Sequence, residues 1–138
     1  MATSRADATN RAYPQIMLVV TTDALPGYDV CDVLGEVIGV TARTHNPFAE
    51  GIRSLQGGTN PRMAEILTRW REEAVERMAE CALHRGANAV VGMRFDHREI
   101  TTSWVEICAY GTAVVVAFRG GAGRVPARVA VTERLSRN

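Results

Sequence analysis

The chain has 138 residues, a formal net charge of +1, and a composition that is 46% hydrophobic and 22% charged; this fits one domain with a single core. So small a net charge supplies no global field to recruit nucleic acid, acidic substrates or a membrane surface. All 16 basic residues are arginine, which excludes a Schiff-base lysine, a phosphate-loop lysine and a Ser–Lys dyad.

Residues 1–14 are polar, lack the apolar run of a signal peptide, and read as a disordered tail. Ile16 to Val20 is a short β-rich run, and Leu25-Pro26-Gly27-Tyr28 is a turn signal. A second strand is expected from Val30 to Ala42. Val33, Gly35, Val37 and Gly39 alternate there with Leu34, Glu36, Ile38 and Val40. Glycines inside a strand point to a bulge or to close backbone approach. Asn46-Pro47 is a start signal for a short helix over Phe48 to Leu55, ending at Gly57-Gly58.

Asn60 and Pro61 then open the clearest element of the chain. Met63, Ile66, Leu67, Trp70, Ala74, Met78, Cys81 and Ala82 recur at three- and four-residue steps, one apolar stripe of a long helix. Glu65–Arg69, Glu73–Arg77 and Glu80–His84 fall on its wet side, and Gly86 suits a left-handed cap. Two strands follow. In the first, Ala89, Val91, Met93 and Phe95 alternate with Val90, Gly92, Arg94 and Asp96. The stretch Asp96-His97-Arg98-Glu99 is expected to begin the connection to the last strand, Trp104 to Phe118. After Arg119 the chain is rich in glycine and arginine. The expected fold is α+β, in the order β-β-α-α-β-β, an antiparallel sheet backed by one long helix. A tail at 1–14, a domain at 15–118 and a Gly/Arg-rich tail at 119–138 complete the division.

The run Gly86-Ala87-Asn88-Ala89-Val90-Val91-Gly92 and the later run Tyr110-Gly111-Thr112-Ala113-Val114-Val115-Val116 resemble the YbjQ family. So do Thr21-Thr22, Leu34-Gly35-Glu36-Val37, and Asn46 followed by Gly57-Gly58. The resemblance spans about residues 16–117. It implies a dodecin-like subunit that assembles into a ring, commonly a pentamer, in bacterial proteins that often carry a heavy-metal-binding label. No settled activity comes with it, and it leaves the cofactor open.

Chemistry-bearing residues are sparse. Cys31, Cys81 and Cys108 show neither metal-finger nor redox-motif spacing and read as free, mostly buried thiols of a cytoplasmic protein. Cys81 and His84, at i and i+3, are the one close pair of soft-metal donors, with Cys81 expected in the helix stripe. Glu36, Glu106 and Tyr110 lie inside apolar strands, where a carboxylate at a semi-enclosed interface can act as a base. Edge exposure or an arginine partner accounts for them equally well. Thr22, Arg43 and Asn46 are expected around the ends of the first two strands, as candidate ligand contacts between subunits or as loop hydrogen bonders. Gly57-Gly58-Thr59-Asn60 reads as a turn, since it lacks the phosphate-loop pattern. The arginine-rich end has no interleaved aromatics, so nucleic acid is not expected as a partner, nor is a membrane.

In the last strand Trp104, Cys108, Tyr110, Val114 and Val116 make an apolar second face, which calls for a covering partner. The reading is a homo-oligomeric ring that binds a small ligand or serves assembly. An enzyme with a site between subunits is the alternative, and a heavy-metal-binding protein the third.

Overall fold

A computed structural model describes residues 15–44, 57–58, 61–120 and 128–131. The elements are β1 (Gln15–Val19), β2 (Tyr28–Thr44), α1 (Pro61–His84), β3 (Ala89–Thr101), β4 (Trp104–Phe118) and β5 (Arg128–Val131). They form one five-stranded sheet in the order β2-β4-β3-β1-β5, with α1 across one face. The α+β class follows the sequence reading. The proposed helix at Phe48–Leu55 and Asn46 lie outside the described residues.

Three features depart from expectation. The sheet is mixed, because β1 runs parallel to β3, with Leu18 opposite Ala89 and Val19 opposite Val90. The charged stretch Asp96–Glu99 is strand rather than connection, since β3 continues to Thr101. Finally, Arg128–Val131, assigned above to a tail, forms β5 and pairs antiparallel with β1. Without β5, β1 would be an edge strand with unpaired backbone groups, and a four-residue strand is enough to cover it.

The core sits between α1 and the sheet. Ala74, Met78, Ala79 and Ala82 of the helix pack against Met17, Val37, Val90, Ile107, Ala109 and Ala113. Helix and β2 approach so closely because Gly39 has no side chain. A Cβ there would lie 2.2 Å from the Ala74 carbonyl oxygen and 2.3 Å from the Met78 nitrogen. Two residues further along β2, the buried Thr41 hydroxyl donates to the Trp70 carbonyl at 3.3 Å. The helix ends as its sequence predicts. Gly86 has φ 85°, its N–H donates to Leu83 O, and the Ala87 N–H donates to Ala82 O, a Schellman closure.

Bulges reverse the facing of two strands. The register of β2 shifts between Val33 and Gly35, where φ is 97°. Leu34 therefore joins the core side with Val37, while Val33, expected beside Val37, is 63% exposed. A second shift lies between Val91 and Arg94, where Gly92 has φ 63°. It sets Val90 and Met93 against the helix and leaves Ala89 and Val91 on the other face. A bulge adds one residue on one strand and so inverts every later side chain.

Part of that other face has its own small core. Leu18, Ala89, Val91, Val114 and Val116 pack with Leu25, which arrives on the loop after β1. The loop is held by the Gly92 N–H donating to Thr22 O and the Met93 N–H donating to Val20 O. Val114 and Val116, expected to await a partner, are thus covered within the chain.

Candidate functional site

What remains uncovered on that face is the stretch of sheet beyond the loop. Pairing across β2, β4 and β3 sets up rows of Ile38, Tyr110 and Arg94, then Val40, Cys108 and Asp96, then Ala42, Glu106 and Arg98. Trp104 ends the array opposite Thr44. Ile38 is 48% exposed and Trp104 45%, with Val40 and Tyr110 also open. An apolar band over β2 and β4 is therefore bordered by an alternating Arg94–Asp96–Arg98 column on β3. The sequence signal for this face was the period-two apolarity of β4, once Val114 and Val116 are removed from it.

The candidate residues fall partly on this face. Glu36 is exposed and sits diagonal to Tyr110, being paired with Thr112, while Glu106 is half-buried opposite Arg98. Glu36, Tyr110 and Glu106 thus share one face, with Cys108 between the last two. Burial pushes the Cys108 thiol up from its ordinary pKa, and the negative charges of Glu106 and Asp96 add to that. A thiol so placed stays protonated at neutral pH and is a poor nucleophile.

Thr22 and Arg43 do not meet. The Thr22 hydroxyl donates to the Ala24 carbonyl at 2.7 Å, and its own carbonyl receives Gly92 N–H. Arg43 is opposite Val105 at the far end of β2 and ion-paired with Glu73. Because β1 and β2 end at different levels of the sheet, the two residues lie roughly 20 Å apart along the strands. Glu73 also pairs with Arg77 at 2.9 Å. Partial burial pushes the Glu73 carboxyl up, but hydrogen bonds and charge from Arg43 and then Arg77 outweigh it and hold it below its ordinary range.

The thiols also depart from the buried reading: Cys31 and Cys81 are exposed and Cys108 is half-buried. Cys81 leaves the stripe because the buried face of α1 turns toward Ala79 and Ala82 in the last turns. Cys81 and His84 are both exposed there, and among the described residues no three His, Cys, Asp or Glu side chains gather to hold a metal. The donors within one described subunit therefore do not fit a soft-metal centre.

Three structural residues, Asn88, Arg77 and Arg85, gave no functional signal in the sequence. Asn88 donates from Nδ2 to Val116 O at 2.8 Å and accepts the Val116 N–H on Oδ1 at 2.8 Å, so its amide stands in for a strand partner at the start of β3. On β2, the carbonyls of Glu36 and Val40 accept from Arg85 and Arg77, at 2.5 Å and 2.9 Å. Arginines from the helix region thereby blunt the outermost strand. Among the described residues, no helix is long and apolar enough to cross a membrane.

The YbjQ family model, described as "Putative heavy-metal-binding", matches residues 17–117. A UPF0145 protein of Streptomyces coelicolor is 49% identical over 104 residues, covering 73% of this chain and 98% of that one. The Acidothermus cellulolyticus UPF0145 protein is 47% identical over 103 residues, covering 72% and 95%. A relative in the archaeon Saccharolobus islandicus, 43% identical over 110 residues with 77% and 96% covered, extends the family beyond bacteria. A crystal structure of a protein of unknown function from Pediococcus pentosaceus shares the fold, with a TM-score of 0.52, 14% identity, and coverage of 73% of this chain and 98% of that chain.

Proposed function

The chain belongs to the YbjQ family, and on that premise we propose that it works in the cytoplasm as a ring-shaped homo-oligomer, a pentamer or a multiple of one, serving as a small-ligand-binding or assembly module. One observation carries the reading: the open apolar band of Ile38, Val40, Trp104 and Tyr110 on the sheet face away from α1. Contiguous apolar surface on a subunit this small marks an interface. A second copy covering it would also enclose Glu36, Glu106 and Tyr110 in a cleft between subunits. That gives the second reading, an enzyme whose acid–base groups work only in the assembly. A heavy-metal role needs donors from more than one subunit or from beyond the described residues.

Gel filtration coupled to light scattering tests the assembly, with several subunits per particle expected at micromolar concentration. A clean 15 kDa monomer overturns it. Native mass spectrometry of the same sample then separates the uses: a bound small molecule supports the ligand module, and an apo particle leaves assembly.

A further inference from the structure

We propose that the outer half of β3 is a second, two-fold interface, in which Arg94 to Ile100 pairs antiparallel with the same segment of another copy of this chain about an axis at His97. The inference does not rest on the ring, since a two-fold contact joins two rings or two single subunits alike.

The first ground is an unequal treatment of edges. On its side away from β4, β3 is paired with β1 only at Ala89 and Val90. The next positions, Gly92 and Met93, donate to the loop carbonyls of Thr22 and Val20. Arg94 closes this covered part by donating from Nη1 to Thr21 O at 2.6 Å. From Arg94 to Thr101, among the described residues, β4 is the only strand alongside, and every one of these side chains is exposed. The β2 edge, by contrast, has its Glu36 and Val40 carbonyls occupied by arginines. An open strand edge is a template for another strand.

The second ground is charge register. In a symmetric antiparallel pair, opposed residues share a face, so the axis passes through a residue. With His97 on the axis, Asp96 opposes Arg98 of the second copy and Arg98 opposes its Asp96, which gives two ion pairs on one face. Phe95 opposes Glu99, and Arg94 opposes Ile100. Moving the axis to Asp96, Arg98 or Glu99 sets that residue's charge against itself, which is destabilising. Moving it to Phe95 runs the partner into positions the loop already holds. The free stretch Arg94–Ile100 has His97 at its centre, so the favoured register also uses all of it.

Site-directed disulfides read this register. In a Cys31→Ser, Cys81→Ser, Cys108→Ala background, His97→Cys should oxidise to a covalent dimer, because opposed Cα atoms in such a pair lie about 4.5–5.5 Å apart. Phe95→Cys should yield little or none, its two copies being separated by roughly 14 Å along the strands. As a second measurement, Asp96→Arg should lower the mass in light scattering, and adding Arg98→Asp to it should restore that mass. Absence of the His97→Cys dimer, equal cross-linking at both positions, or no rescue by the swap overturns the proposal. A ring that persists through any of these results leaves the ring reading standing and removes only the two-fold contact.

Discussion

At the scale of single residues, Gly39 carries the sharpest constraint. Its hydrogen sits where a methyl group would overlap helix backbone at Ala74 and Met78, and backbone cannot swing aside as a side chain can. Gly39→Ala should destabilise the fold by about 3 kcal/mol, read as a lowered denaturation midpoint; an unchanged midpoint would mean that the helix can lift off β2 freely. The sequence flagged this position through a glycine inside a strand, but it could not say whether a bulge or a close approach was meant. Gly35 turned out to be the first and Gly39 the second. Cys108 allows a chemical check. With its thiol pushed up by burial and by Glu106 and Asp96, iodoacetamide at pH 8 should label it more slowly than the exposed Cys31 and Cys81, as followed by peptide mass spectrometry. Fastest labelling at Cys108 would contradict the electrostatics of that face. For Glu73 the folded-state pKa is depressed, so its contribution is present above the ordinary carboxylate value of about 4.5 and is lost as pH falls through the folded value. Both arginine partners are substantially exposed. Glu73→Gln should therefore cost only about 0.5–1 kcal/mol at pH 7, and the two stability curves should converge in acid as pH falls through the folded value. A gap that widens in acid would reverse the sign.

At the scale of elements, the helix was the most legible part of the chain, because a 3.6-residue period sustained over 24 residues has few competing explanations. Its cap at Gly86 followed from the same pattern. Strand facing was less legible. Of the register shifts along β2 and β3, the bulges near Gly35 and Gly92 invert the alternation within the core-bearing stretches, and an unbroken period-two reading carries the error forward. Val33 and Val91 were misplaced for that reason alone. The parallel β1–β3 pairing was hidden too, since a five-residue strand shows its partner only in three dimensions. β5 was the hardest: Val129 and Val131 alternate too briefly to outweigh the glycine-rich stretch before them. Its pairing with β1 gives the tail a structural task that a dispensable segment would lack. Deleting residues 120–138 should expose the β1 edge, lower the thermal midpoint and raise aggregation, whereas deletion of 1–14 should leave the midpoint nearly unchanged. Equal behaviour of the two truncations would show that β5 adds nothing to the sheet.

At the scale of the whole molecule, the uneven covering of the sheet is the feature that matters. One face is closed by α1, and half of the other is closed by Leu25 and its loop. The remaining half carries apolar side chains that solvent does not favour and that no described element reaches. The candidate acid and base residues were legible one by one, as polar positions within apolar strands. Glu106 and Tyr110 share a face by the simple alternation of β4, but that Glu36 joins them was not legible, because it depends on the register between β2 and β4. If that face is buried between subunits, its central residues should control assembly while leaving the subunit fold intact. Trp104 and Ile38 suit this test, being nearly half exposed in the single chain and therefore dispensable to its core. Trp104→Asp and Ile38→Asp each place an unpaired charge where a partner would pack, a change that costs several kcal/mol once desolvated. Light scattering should show the particle falling to smaller species, and circular dichroism should show unchanged secondary structure. Val33→Asp is the matched control: it is the most exposed large apolar residue described and lies before the Gly35 bulge, on the same face but opposite Val114, two rows from Ile38. A variant set in which Val33→Asp dissociates the particle while Trp104→Asp and Ile38→Asp do not would move the interface to the start of β2. Dissociation by the latter two alone, with loss of any co-purified small molecule, would place the ligand between subunits on the face shared by Glu36, Glu106 and Tyr110.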